Sequence, residues 1–210
     1  MMKLRFACTL VFLLPLVSVT RAQQTAEYSI DPRMSKLEIN VYREGLLKAF
    51  GHDHLIEAKE VAGSVQFDAK KIENSSVRLT VEAKSLTAID PGESEKDRRE
   101  VQATMTGEKV LDASKFPEIV FSSTSVSDAR QSSDGWELTL IGKLDLHGVG
   151  KPVRFQLHVH SEGSQLRAQG EVSLLQTEYG IKPVAVGGGS VKVKDKLKIS
   201  FAIGANRTNL

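Results

Sequence analysis

Four of the five histidines stand in two His-x-His pairs, His52/His54 and His158/His160. On a strand, residues i and i+2 project to one face about 7 Å apart. Two imidazoles so placed can share one metal ion, with Asp53 or a third group completing the set. His158 and His160 fall on the polar side of an alternating segment, where solvent-exposed histidines are the ordinary outcome. His52 and His54 follow Gly51 in a less regular stretch and are the metal candidates. The sequence names no third ligand for them. His147 opens the turn His147-Gly148-Val149-Gly150.

Other chemistries lack their parts. There is no G-x-S-x-G around any serine, so no serine nucleophile is marked. Gly187-Gly188-Gly189-Ser190 is not followed by Gly-Lys-Ser/Thr and reads as a connector, not a phosphate loop. No catalytic residue and no cofactor is assigned. With 28 Lys+Arg against 26 Asp+Glu in 210 residues, no basic surface exists to neutralise phosphates, and nucleic acid is not an expected partner.

The first 22 residues have the layout of a secretory leader. Lys3 and Arg5 precede an apolar run from Phe6 to Val19, and Thr20-Arg21-Ala22 is a small-x-Ala cleavage site. The run is too short for a bilayer, which takes about 20 residues. The expected mature chain, 23–210, is a single domain in the periplasm or outside the cell, not membrane-spanning once the leader is cleaved. Removing Lys3, Arg5 and Arg21 leaves 25 basic and 26 acidic residues, and Cys8, the one cysteine, leaves as well. Disulfides, thiolate metal sites and a cysteine nucleophile are thereby excluded, and the fold must rest on its core.

The elements that must position any site are strands. Val77, Leu79, Val81 and Ala83 alternate with polar residues, as do Trp136 to Leu146, Val153 to Val159 and Val191 to Ile203. Such a period of two marks antiparallel strands with one wet face. Less regular strands fit 28–43, 56–68, 117–128 and 166–177, giving about eight. Pro91-Gly92 stops one, and Ser94 can cap a short helix near 95–106, followed by a turn around 109–114. Asp195 breaks the apolar phase of the last strand and reads as a turn or bulge, or as a polar group facing a ligand. Eight long sequential strands can hide their edges by closing into an antiparallel barrel. A two-sheet sandwich is the alternative.

Lys115-Phe116-Pro117-Glu118-Ile119-Val120-Phe121-Ser122-Ser123 resembles the F-P-x-I-x-F-x-S segment of the YceI-like polyisoprenoid-binding proteins. The stretch Gly142 to Val153 is similar to their G-x-L-x-x-H-G-V-x-K-P-V turn. Tyr28-Ser29-Ile30-Asp31 and Tyr179-Gly180-Ile181 resemble their opening strand and late aromatic-Gly-Ile. The resemblance implies an all-β, elongated, lipocalin-like eight-stranded barrel with a short helical insertion. It also implies non-catalytic binding, storage or transport of an isoprenoid-like or amphiphilic lipid, and a structural role for His147 on the turn backbone. The His-rich stretch Phe50-Gly51-His52-Asp53-His54 departs from the family pattern.

The inward phase nominates the lumen wall: Phe67, Leu79, Val81, Phe121, Leu138, Leu140, Phe155, Leu157, Val172, Leu174, Ile199 and Phe201. From periodicity alone they would fill a packed core; the resemblance makes them candidate ligand contacts. Three functions stay open: a lipid carrier, a metal-binding protein or metal-dependent enzyme using His52 and His54, and a structural module with a filled core.

Overall fold

The computed structural model describes residues 25–45, 53–90, 92–186 and 190–208. The expected leader, His52 and the Gly187-Gly188-Gly189 connector lie outside the described residues. The strands are β1 (Ala26–Ile30), β2 (Lys36–Glu44), β3 (His54–Ala58), β4 (Val61–Phe67), β5 (Ser76–Glu82), β6 (Leu86–Ala88), β7 (Glu118–Ser132), β8 (Gly135–Leu146), β9 (Val149–Glu162), β10 (Gln165–Leu175), β11 (Ala185–Val186) and β12 (Val191–Arg207); one helix, α1 (Glu95–Thr106), lies between β6 and β7. Every pairing is antiparallel, and the order β1-β4-β5-β7-β8-β9-β10-β12 closes on itself through Tyr28 opposite Arg207 and Ile30 opposite Ala205. Eight strands therefore form a closed barrel, not a sandwich.

Three of the expected long strands are bent. β1 and β2 are one strand interrupted at Pro32–Met34, where the Asp31 carboxylate accepts the Arg33 N–H at 2.9 Å. Proline has no amide to give the ladder, and Asp offers the backbone a local turn instead. Gly204 lets the bend pass, since a Cβ there would stand 2.5 Å from that of Met34. β3 runs into β4 through Lys59-Glu60, and β5 into β6 through Ala83–Ser85. These two bends meet: the amides of Lys59 and Glu60 donate to the Ser85 carbonyl and hydroxyl.

Beyond its bend β6 keeps its bonds to β3 but leaves β7, so its other edge is open. The helix covers it. Gln102 of α1 accepts the Ala88 N–H at 3.0 Å and donates to the Leu86 carbonyl at 2.7 Å. One amide side chain thus does what a neighbouring strand would do, which removes an unpaired edge. As expected, Ser94 caps α1, its hydroxyl accepting the Asp97 N–H at 3.2 Å. No helix among the described residues is long and apolar enough to cross a membrane.

Asp195 lies in a bulge: the register between β12 and β2 shifts between Val193 and Leu197. Its carboxylate accepts the Thr177 hydroxyl at 2.6 Å and amide at 2.9 Å, and these bonds hold its pKa below the usual carboxylate range. It pins the turn after β10 and does not line the interior.

A hollow apolar barrel with a polar end

The interior is not filled. A cavity of about 610 Å³ runs through the barrel, within the range of small-molecule sites. All twelve residues of the inward phase, Phe67 to Phe201, line it. Six of them, Leu79, Phe121, Phe155, Val172, Ile199 and Phe201, are only half-buried although they point inward, because they face open space where a packed core would present side chains. The other six, Leu138, Leu140 and Leu157 as well as Phe67, Val81 and Leu174, are buried.

Glycines help keep the lumen open. Phe121, Phe155 and Phe201 form a row of rings, the first contact tilted and the second edge-on, with centroids 5.5 and 5.6 Å apart. The Phe121 ring lies over Gly142, where a Cβ would stand 2.5 Å from Cε2, and Phe201 lies over Gly170, where it would stand 2.9 Å from Cζ. Rings laid flat on bare backbone take the volume that wall side chains would otherwise occupy.

The far end, near the β7–β8 and β9–β10 hairpins, carries Phe67, Ile72 and Leu166, all buried and all on the cavity wall. At the helix end the lining turns polar. Arg43, His54, Glu93, Asp97, Glu100 and Lys192 join the wall there, and the last three are exposed, so the cavity meets solvent at this end. His54 begins β3; its Nδ1 is 2.8 Å from Asp90 Oδ2 and 3.9 Å from Glu93 Oε1. Neither acid was nominated from sequence; both reach His54 only because β6 pairs with β3. Asp53 faces elsewhere, accepting the Arg43 N–H at 2.9 Å.

The other three described histidines serve the frame. His158 and His160 are half-buried, where the alternation suggests free exposure. Both point a ring nitrogen at the Asp134 carbonyl at 3.0 Å, and His158 Nδ1 is 2.7 Å from Glu137. They bind the hairpin turn together, and the hydrogen bond to the Asp134 carbonyl raises the pKa of His160 above that of an ordinary imidazole. His147 bonds the Tyr179 carbonyl at 3.1 Å, a different segment from its own turn, and its ring packs edge-on against Phe116 at 4.7 Å. Gly148 allows this, since a Cβ there would meet the Phe116 ring at 2.4 Å. Three separate motifs thus converge on one buried joint, where burial also pushes the Tyr179 phenol up.

The family model of the YceI-like domain matches residues 28–205. The chain belongs to the YceI-like family. Among curated relatives, it is 29% identical over 180 residues to a UPF0312 protein of Shewanella denitrificans, covering 82% of this chain and 85% of that one. It is also 29% identical over 149 residues to protein YceI of Salmonella arizonae, covering 70% and 69%. Among solved structures, BcnA of Burkholderia cenocepacia superposes with a TM-score of 0.65 at 19% identity, over 84% of this chain and 99% of that one. A polyisoprenoid binding domain from Saccharophagus degradans does so with a TM-score of 0.62 at 13% identity, over 88% and 100%. At such identities these two likenesses speak for the YceI-like barrel alone.

Proposed function

We propose that this YceI-like protein binds an isoprenoid-like or other amphiphilic lipid in its lumen, for storage or transport and without catalysis. The observation that carries the reading is an apolar wall around an open interior, with the charged lining residues gathered at the helix end, where the cavity meets solvent. An apolar chain would lie along Phe121, Phe155 and Phe201, and its polar head would face the helix end. The Saccharophagus degradans domain described as polyisoprenoid binding supports the choice of ligand class.

The test is extraction. Protein purified from its native host should release a chain lipid in roughly equimolar amount, identified by mass spectrometry, and delipidated protein should take it up again. A chain that carries no apolar ligand and takes none up overturns the reading.

Export belongs to the same proposal, since a lipid carrier of this kind would work between membranes. Amino-terminal sequencing of the exported protein should begin at Gln23, after Ala22. Intact residues 1–22 in a membrane fraction would instead mark an anchored protein.

A further inference from the structure

We propose that His54, Asp90 and Glu93 form a binding site for one divalent transition cation at the polar end of the cavity. One ligand atom from each of the three lies within 4.8 Å of the other two. His54 comes from β3. Asp90 is held opposite it because the ladder continues past β6, with the Ile89 N–H donating to the Leu55 carbonyl at 2.9 Å. Asp90 Oδ1 accepts the Leu55 N–H, which turns Oδ2 toward the imidazole. Glu93 comes from the residue before the Ser94 cap of α1. Three separate segments therefore converge on one point.

The deciding observation is Glu93. Its side chain is 9% exposed, it lines the cavity, and among the described residues neither of its oxygens has a hydrogen-bond partner. Arg98 of α1 donates its guanidinium to the Glu93 backbone carbonyl at 2.7 Å, not to the carboxylate. A buried carboxylate left so is costly and calls for a counter-charge. His54 Nδ1, at 3.9 Å, is beyond hydrogen-bond reach of Glu93, and a metal ion between the two would supply the counter-charge. Ligand atoms at about 2.0–2.2 Å from a tetrahedral ion stand roughly 3.3 Å from one another, and the observed separations of 2.8 and 3.9 Å bracket that value.

An imidazole nitrogen with two carboxylates selects a borderline cation such as Zn²⁺ over Mg²⁺ or Ca²⁺, which prefer oxygen throughout. Three protein ligands leave one position open. With His54 and Glu93 on the cavity wall, that position faces the lumen.

The experiment titrates the chelator-stripped full chain with Zn²⁺, followed by calorimetry and elemental analysis. One ion per chain is expected. Glu93→Gln should weaken binding by at least about tenfold, the lower bound for loss of a group that only supports a ligand. His158→Ala with His160→Ala should leave it unchanged. Without metal, Glu93→Gln should melt no lower than wild type, since it relieves an unpaired buried charge, and Zn²⁺ should raise the melting temperature of wild type by more than that of the variant. A structural carboxylate would show the reverse, a variant less stable without metal. The proposal is overturned by sub-stoichiometric uptake, by binding that survives Glu93→Gln, or by binding lost with the His158/His160 pair. A lipid bearing an amine that co-purifies and occupies these carboxylates in place of Zn²⁺ overturns it too.

Discussion

Phe155→Arg is expected to abolish lipid retention while the barrel still folds. Phe155 sits mid-strand in β9, opposite Leu140 and between the rings of Phe121 and Phe201. A guanidinium there is far from both ends of the lumen, so it cannot reach solvent in the way exposed arginines do. An apolar chain gains up to about 0.8 kcal/mol for each CH₂ it buries, and that gain is offset by ordering costs. A charge in the path removes the gain over many carbons at once and adds its own desolvation. Circular dichroism must show the wild-type strand content, and bound lipid is then quantified in extracts. Leu140→Phe makes a gentler comparison: it keeps the wall apolar, takes up lumen volume and should reduce retention without eliminating it. A folded Phe155→Arg protein that holds as much lipid as wild type would place the ligand elsewhere.

Tyr179→Ala should be among the most destabilising single changes in the protein. Tyr179 is 1% exposed, its carbonyl is bonded by His147, and Gly180 behind it adopts the left-handed conformation at φ 73° that ends the turn. Truncating a fully buried aromatic costs about 3–5 kcal/mol. In a chain of this length that lowers the melting temperature by roughly 6–20 °C. Thermal denaturation followed by circular dichroism checks it. Tyr179→Phe, which keeps the ring, should lose far less. A fall of only a degree or two for the alanine variant would show that the joint of Phe116, His147 and Tyr179 contributes little.

Most of the barrel wall was legible because period two is unambiguous when one face is apolar. Each inward residue from Leu138 to Leu157 sits where alternation puts it. The cap at Ser94 was legible from a serine before a charged run, and the bulge at Asp195 from a carboxylate in an apolar phase. The bends were harder. Pro32 marks the first, but Lys59-Glu60 and Ala83–Ser85 carry no proline or glycine, and tertiary pairing decides them. The polar end was half legible. His54 stood out by its spacing to His52, whereas its partners Asp90 and Glu93 lie 36 and 39 positions away and meet it only through the pairing of β3 with β6. Hollowness was not readable from alternation, because a filled core and an empty lumen share one pattern; the glycines under Phe121 and Phe201 become informative only once the register is known.

Gln102 makes the wall mechanically uneven. Around the closed ring every strand is held by ladders on both sides, the shortest of them, between β1 and β12, over three residue pairs. At β6 one margin rests on two bonds to a single side chain of a helix that buries no residue fully. Local opening begins where few bonds and little buried surface resist it. The seam between β6 and α1 is therefore a weakly held margin of this barrel. It borders the lumen along its length, since Leu86 on one side and Val101 and Met105 on the other are all on the cavity wall. Opening there unlatches a helix and leaves the eight-stranded ring intact.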